Sequence, residues 1–162
     1  MIDFANQLIH PTDRPRALAV ARHECGHYVA ARVLGFKATK LTLTLLLPIG
    51  HLGGSAIHLH QKLDTKEQIL EFLDRRAQIL CAGVMAEATS NGVVDNVNAV
   101  KLMESGGGAD QDYGKYREVV YLMRNIKYGD TADEGNYNGT LTKLGFLSGK
   151  RLSCSSKKSM NS

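Results

Sequence analysis

His23 and His27 bracket a glutamate in the run His23-Glu24-Cys25-Gly26-His27, an HExxH pattern whose spacing has a chemical use. On an α-helix each residue turns about 100° and rises about 1.5 Å, so side chains four apart share a face and two imidazoles can grip one tetrahedral Zn²⁺. Glu24 sits roughly 100° round the helix, where it reaches a water on the metal without competing for the metal itself, as a general base requires. The bland reading of the same residues is a helix with polar groups on a solvated face. The flanks oppose it. Ala17 to Ala21, Val29 to Ala31 and Val33-Leu34 form a strongly apolar run that reads as a buried helix, and buried histidines and glutamates need partners.

The helix that carries the pair is expected to start near Asp13, with Pro15 where its missing N–H is no loss, and to stop at Gly35. Cys25, roughly 160 to 200° round from the histidines, is expected to pack against the core rather than coordinate. Lys40 to Leu47 alternates leucine and threonine and reads as a strand with one face on the core. Pro48, Gly50, Gly53 and Gly54 then predict a turn, and Ser55 to His60 resumes the alternation to complete a hairpin or a pair of neighbouring strands. His58 and His60 share a face there, read as a solvated strand face rather than a second metal site. His51 in the turn reads as exposed, and His10 before Pro11 has no evident partner.

A second long helix is expected from a cap at Asp64 or Thr65 to about Thr89, Asp64 to Glu67 having capping-box spacing. Its small residues Ala82, Gly83 and Ala86 would allow close approach to the zinc helix. Glu87, on the apolar half, needs a partner and is either a zinc-site residue or a salt-bridged core group. A short helix from Val97 to Glu104, the glycines 106–108, and a third helix from Asp110 to Asn125 follow, with Tyr116, Val119, Val120 and Met123 inward. Lys127 to Lys143, rich in Gly, Asp and Asn, reads as an irregular loop. The fold class is mainly α with a small β-hairpin or sheet.

The third zinc ligand lies outside the first helix. A metzincin would require Gly and His where Ala30 and Val33 stand, so that class is excluded. Glu87, Asp110 and Asp112 are the carboxylates best placed. Asp110 and Asp112 are about 200° apart on one helix, so only one of them can face the metal.

Composition bounds the setting. At 162 residues the chain suits one domain with a real core, taken as 1–147, followed by a basic Ser/Lys-rich tail, 148–162, expected to be disordered. The net charge of +4 is accounted for by Lys150, Arg151, Lys157 and Lys158 in that tail, so the body is neutral and no nucleic-acid face is indicated. Cys25, Cys81 and Cys154 form no CxxC pair, which argues against a disulfide framework and for a reducing cytoplasm. The longest apolar stretch, Leu41 to Ile49, is too short to span a bilayer, and Met1 to His10 lacks the pattern of a signal peptide.

Over Arg14 to Asn125 the chain resembles the zinc peptidase domain of FtsH-type AAA proteases. HECGHYVAARVLG is similar to that family's HEAGH helix, PIGHLGGSAIHL to its turn and substrate-edge strand, CAGVMAEA to its AGRxAEE helix, and GGADQDYGKY to its TGAxxD segment. The resemblance implies an HExxH zinc peptidase fold in which His23, His27 and Asp112 hold Zn²⁺ and Glu24 is the catalytic base. It implies an endopeptidase whose unfolded or extended polypeptide substrate pairs with the Ser55–His60 strand. Val84, Ala88 and Ile49 depart from the family's Arg, Glu and Arg, and the Ala-Thr pair after the ligand aspartate is absent. No Walker A loop or membrane span is present in these residues. A free-standing peptidase unit is therefore expected, with a separate ATPase partner and a homo-oligomer left open. The departures at Val84 and Ala88 motivate the alternative, a zinc-binding but non-proteolytic interaction or inhibitor module.

Overall fold

The computed structural model describes residues 9–46, 50–104 and 106–129. A 3₁₀ turn, Pro11–Asp13, leads into helix α1, Arg14–Val33, with Pro15 in its first turn as expected. Gly35 ends α1: at φ +83° it takes the left-handed conformation. Gly35 N–H then bonds to Arg32 O at 3.2 Å and Phe36 N–H to Ala31 O at 2.8 Å, the paired closure of a Schellman motif.

The apolar run around the histidines does not make α1 buried all round. Ala17, Val20, His23, His27, Ala30 and Ala31 form one buried stripe, while Leu18, Val29 and Val33 are more than half exposed. Cys25 accordingly faces solvent, not the core. It stands opposite the histidines, and the histidines occupy the buried side.

Strands β1, Lys37–Leu46, and β2, Gly50–His58, pair antiparallel from Lys37↔His58 to Leu46↔Gly50, with an irregularity between Ala38 and Lys40. Three expectations change here. Gly53 and Gly54 lie inside β2 rather than in the turn, and residues 47–49 of that turn fall outside the described residues. His60 lies past the strand end, so it shares no strand face with His58. Leu41 and Leu43 are 40% and 38% exposed, and the core contact of β1 is at Ala38. Alternation fixes which side chains share a face, not whether anything covers it.

Helix α2, Lys66–Glu87, opens on a capping box one residue later than Asp64–Glu67. The Thr65 hydroxyl accepts from Gln68 N–H at 3.3 Å, and Gln68 Oε1 accepts from the backbone N–H of Thr65 and of Asp64, the latter at 2.7 Å. With Thr65 as the cap, Gln68 stands at the third helical position that the box requires, and Glu67 stands one position too early. From Ala77 to Val84 every residue of α2 is buried, because helices pack on both of its sides.

On one side Ala30, Ala31, Phe36 and Ala38 meet Ile79 and Ala82. On the other, Ala77, Leu80 and Cys81 meet Tyr116 and Val120 of helix α4, Asp110–Tyr128. Between α2 and α4 the chain makes two-residue strands β3, Thr89–Ser90, and β4, Val93–Val94, and then helix α3, Asn96–Met103. Asn91 and Gly92, both at positive φ, turn that small hairpin. The architecture is thus mainly helical, with one two-stranded sheet laid against α1 and a second, minimal one. No helix among the described residues is long and apolar enough to cross a membrane. The expected tail 148–162 and most of the loop to Lys143 lie outside the described residues.

The α1–α2 crossing rests on Gly26. A methyl group there would overlap the Ala82 carbonyl and come within 2.7 Å of Ala86 Cβ. Gly26→Ala is therefore expected to destabilise the fold by about 1–3 kcal/mol through forced separation of the helices. Gly114→Ala, on α4 with nothing within 4 Å, is expected to stabilise it by about 0.5–1 kcal/mol through helix propensity. Urea midpoints of the two variants against the parent chain check both signs.

Candidate metal centre

Because α1 turns its buried stripe toward α2, His23 and His27 meet edge to face, ring centroids 4.7 Å apart at 78°. Their Nε2 atoms lie 3.0 Å from each other. Asp112, in the first turn of α4, brings Oδ2 to 3.1 Å from His23 Nε2 and 2.9 Å from His27 Nε2. Three ligand atoms thus form a nearly equilateral triangle. Tetrahedral zinc with bonds of about 2.0–2.1 Å sets its ligand atoms about 3.3 Å apart, so the triangle needs to open by only a few tenths of an ångström. The trio can hold a metal ion.

The other imidazole nitrogens are already committed. His27 Nδ1–H donates to the Ile79 carbonyl at 2.7 Å, and His23 Nδ1–H donates to Glu87 Oε2 at 2.9 Å. Each bond fixes the ring and the tautomer that leaves Nε2 facing the common point. Gly83 makes room for this: a Cβ there would stand 2.6 Å from His27 Cε1 and 2.7 Å from His23 Nε2. The small-residue stripe on α2 therefore serves the imidazoles as well as the helix crossing.

The centre is electrostatically prepared for a cation. Burial opposes a charge on His23, but the hydrogen bonds and charges of Asp112 and Glu87 outweigh it and raise its pKa to about 9. Burial would likewise lift Asp112, yet hydrogen bonds from His23 and His27, with the charges of His27 and Lys115, hold it well below the usual carboxylate range. Without metal, a proton on His23 occupies the position a metal would take. Cys81, just behind, is pushed up to about 12 by burial and by Asp112, which keeps its thiol protonated and unsuited to coordination.

A cavity of about 530 Å³ opens over the trio, lined also by Glu24, Glu87 and Asp110 and by β2 from Gly53 to Ser55. Glu24 is outside the ligand triangle. Its carboxylate lies under the β2 backbone, so close that a Cβ on Gly53 would come within 2.7 Å of Glu24 Oε1. Of the carboxylates weighed for the third position, Asp112 reaches both imidazoles, Glu87 supports one from behind, and Asp110 is exposed on the cavity rim.

His10, His58 and His60 stay apart from the centre. Exposed His58 approaches Thr39 Oγ1 at 3.4 Å, His60 is exposed, and the side chain of His51 is outside the described residues. His10 has a partner the sequence did not suggest: its Nδ1 lies 2.8 Å from Thr12 Oγ1 and accepts weakly from Thr12 N–H, capping the 3₁₀ turn. Sequence reasoning also missed the Ile79 carbonyl, Gly53, Arg76 and Lys115. Only Lys115 carried a signal, its i,i+3 spacing from Asp112, whose Oδ1 it approaches at 3.5 Å.

Against protein-family models, curated proteins and solved structures, the chain matches none.

Asp112→Asn is expected to weaken zinc binding by at least about 100-fold, since it removes the only anionic member of the trio. Glu87→Gln should weaken it by about 10- to 100-fold through loss of the negative charge behind His23. Asp110→Asn should leave it within about twofold, its carboxylate being held by solvent. Competition titration against a chromogenic chelator measures all three.

Proposed function

We propose that this chain is a zinc-dependent endopeptidase related to the peptidase domain of FtsH-type AAA proteases, acting on unfolded or extended polypeptides. The observation that carries the reading is the convergence of His23 Nε2, His27 Nε2 and Asp112 Oδ2 on one point beside a cavity into which Glu24 projects. Three protein ligands with an open side are the pattern of a catalytic zinc site, whereas structural sites close with four.

His23, His27 and Asp112 would hold the zinc ion, which would supply Lewis acidity to a water and to the substrate carbonyl. Glu24 takes the proton of the attacking water and delivers it to the departing amine nitrogen, which completes peptide hydrolysis. Glu87 and the Ile79 carbonyl keep the two imidazoles in the metal-ready tautomer throughout. Among the described residues β2 pairs with β1 alone, so its other edge can accept an extended peptide by backbone hydrogen bonds beside Gly53 and Glu24.

Val84 and Ala88, the departures that suggested a non-proteolytic module, lie in a core cluster with Ala99 and Ala109 and not in the cavity lining. This supports hydrolysis over mere zinc binding. The free thiols of Cys25 and Cys81 suit the reducing cytoplasm we assign to it. A homo-oligomer and a separate ATPase that unfolds substrates are compatible with the same reading.

Glu24→Gln is expected to retain close to one equivalent of zinc and to lose about 10²- to 10⁴-fold in cleavage of an unfolded protein such as casein. Loss of zinc in that variant would make Glu24 a ligand, and retained cleavage would remove it as the base. The purified chain should cut casein equally with and without ATP and spare a stable folded domain, whose backbone groups are already paired. Gel-based cleavage assays with and without nucleotide decide this.

A further inference from the structure

Three cations line the same cavity from three helices: Arg16 of α1, Arg76 of α2 and Lys115 of α4. Two are already engaged, Lys115 with Asp112 Oδ1 at 3.5 Å and Arg16 within the fold. Arg75, the neighbour of Arg76, is engaged as well, with Leu34 O, Gln61 Oε1 and the face of Phe36. Arg76 alone of this group makes no hydrogen bond or ion pair with another described residue. Half-buried, its guanidinium has five donors and a charge to satisfy. Burial works against that charge, and Asp112 offsets this only through its longer-range field.

Arg76 stands about two helical turns before Gly83, on the face of α2 that meets the imidazoles. Since α1 and α2 run antiparallel, with His23 beside Glu87 and Leu34 beside Arg75, Arg76 and Arg16 mark opposite ends of the cavity with the ligand trio between them. A divalent ion added to the three cations would leave positive charge in excess over Glu24, Glu87, Asp110 and Asp112.

We propose that Arg76 determines specificity by binding the side-chain carboxylate of an acidic residue in an extended peptide, within about three residues of the scissile bond. The inference rests on the peptidase reading above. A planar guanidinium at a half-dry site selects a carboxylate over its amide because the amide cannot supply the charge.

The test uses amidated peptides in which a single Glu is moved along a neutral sequence, each with a Gln twin, plus one twin pair with a free C-terminal carboxylate. The zinc-loaded chain is expected to favour Glu over Gln by at least about tenfold in kcat/KM at one position. Arg76→Gln should bring that ratio near one, Arg76→Lys should restore it in part, and Arg76→Glu should shift preference to a Lys peptide. A ratio near one in the parent chain, or an equal loss on both twins in Arg76→Gln, would make Arg76 a structural cation and overturn the inference. Preference confined to the free terminal carboxylate would overturn the side-chain assignment. Cleavage of the neutral twins separates these outcomes from failure of the peptidase reading, in which zinc binds and no peptide is cut.

Discussion

The approach of α1 to α2 at Gly26 and Gly83 governs the rest of the molecule. At Gly26 the two backbones come so near that a single methyl group would meet the Ala82 carbonyl, and at Gly83 the imidazoles fill the space a side chain would take. Only with both positions empty can His27 reach the Ile79 carbonyl and His23 reach Glu87. Those bonds in turn are what aim two Nε2 atoms at one point. The close crossing that packs the core is therefore also what orients the ligand face.

Charge explains why such a cluster is stable with no metal in it. Two imidazoles and two carboxylates withdrawn from water would be costly if left unpaired. Here a proton on His23 satisfies Asp112 and Glu87 together, and Lys115 shields the outer oxygen of Asp112. The centre is thus electrostatically complete with one positive charge in place. A metal ion bound there would exchange for that charge rather than enter an empty anionic hole, so its uptake would be linked to proton release.

Much of this was legible in sequence because it depends on local rules. HExxH spacing on a helix, a stop at Gly35, small residues at 82, 83 and 86, and two aspartates 200° apart needed only helix geometry, and Asp112 is the one that reaches the histidines. The failures share a different cause. Composition makes Cys25 and the outer face of α1 look buried because it shows how apolar a helix is, not how many neighbours it has. Gly53 and Gly54 suggest a turn by type, whereas both lie within a strand, and Gly53 lets that strand pass directly over Glu24. Glu87 stayed ambiguous because the choice between ligand and supporting hydrogen bond is decided by distances of an ångström.

Val84 and Ala88 bear on how Asp112 is held. Val84 is almost fully buried and, with Ala88, Ala99 and Ala109, forms a dry cluster joined by Leu102 and Met103. Ala109 lies immediately before α4, and its N–H bonds to Leu102 O at 2.9 Å. On this side the first turn of α4 is consequently anchored by packing and one backbone bond to α3, with apolar residues where a charge pair would otherwise stand. A charged residue in place of Val84 or Ala88 would have required its own partners in that space. The apolar solution removes that requirement and leaves the carboxylate of Asp112 as the charge that α4 presents to both histidines, which suits a ligand that must keep its place whether a proton or a metal occupies the centre.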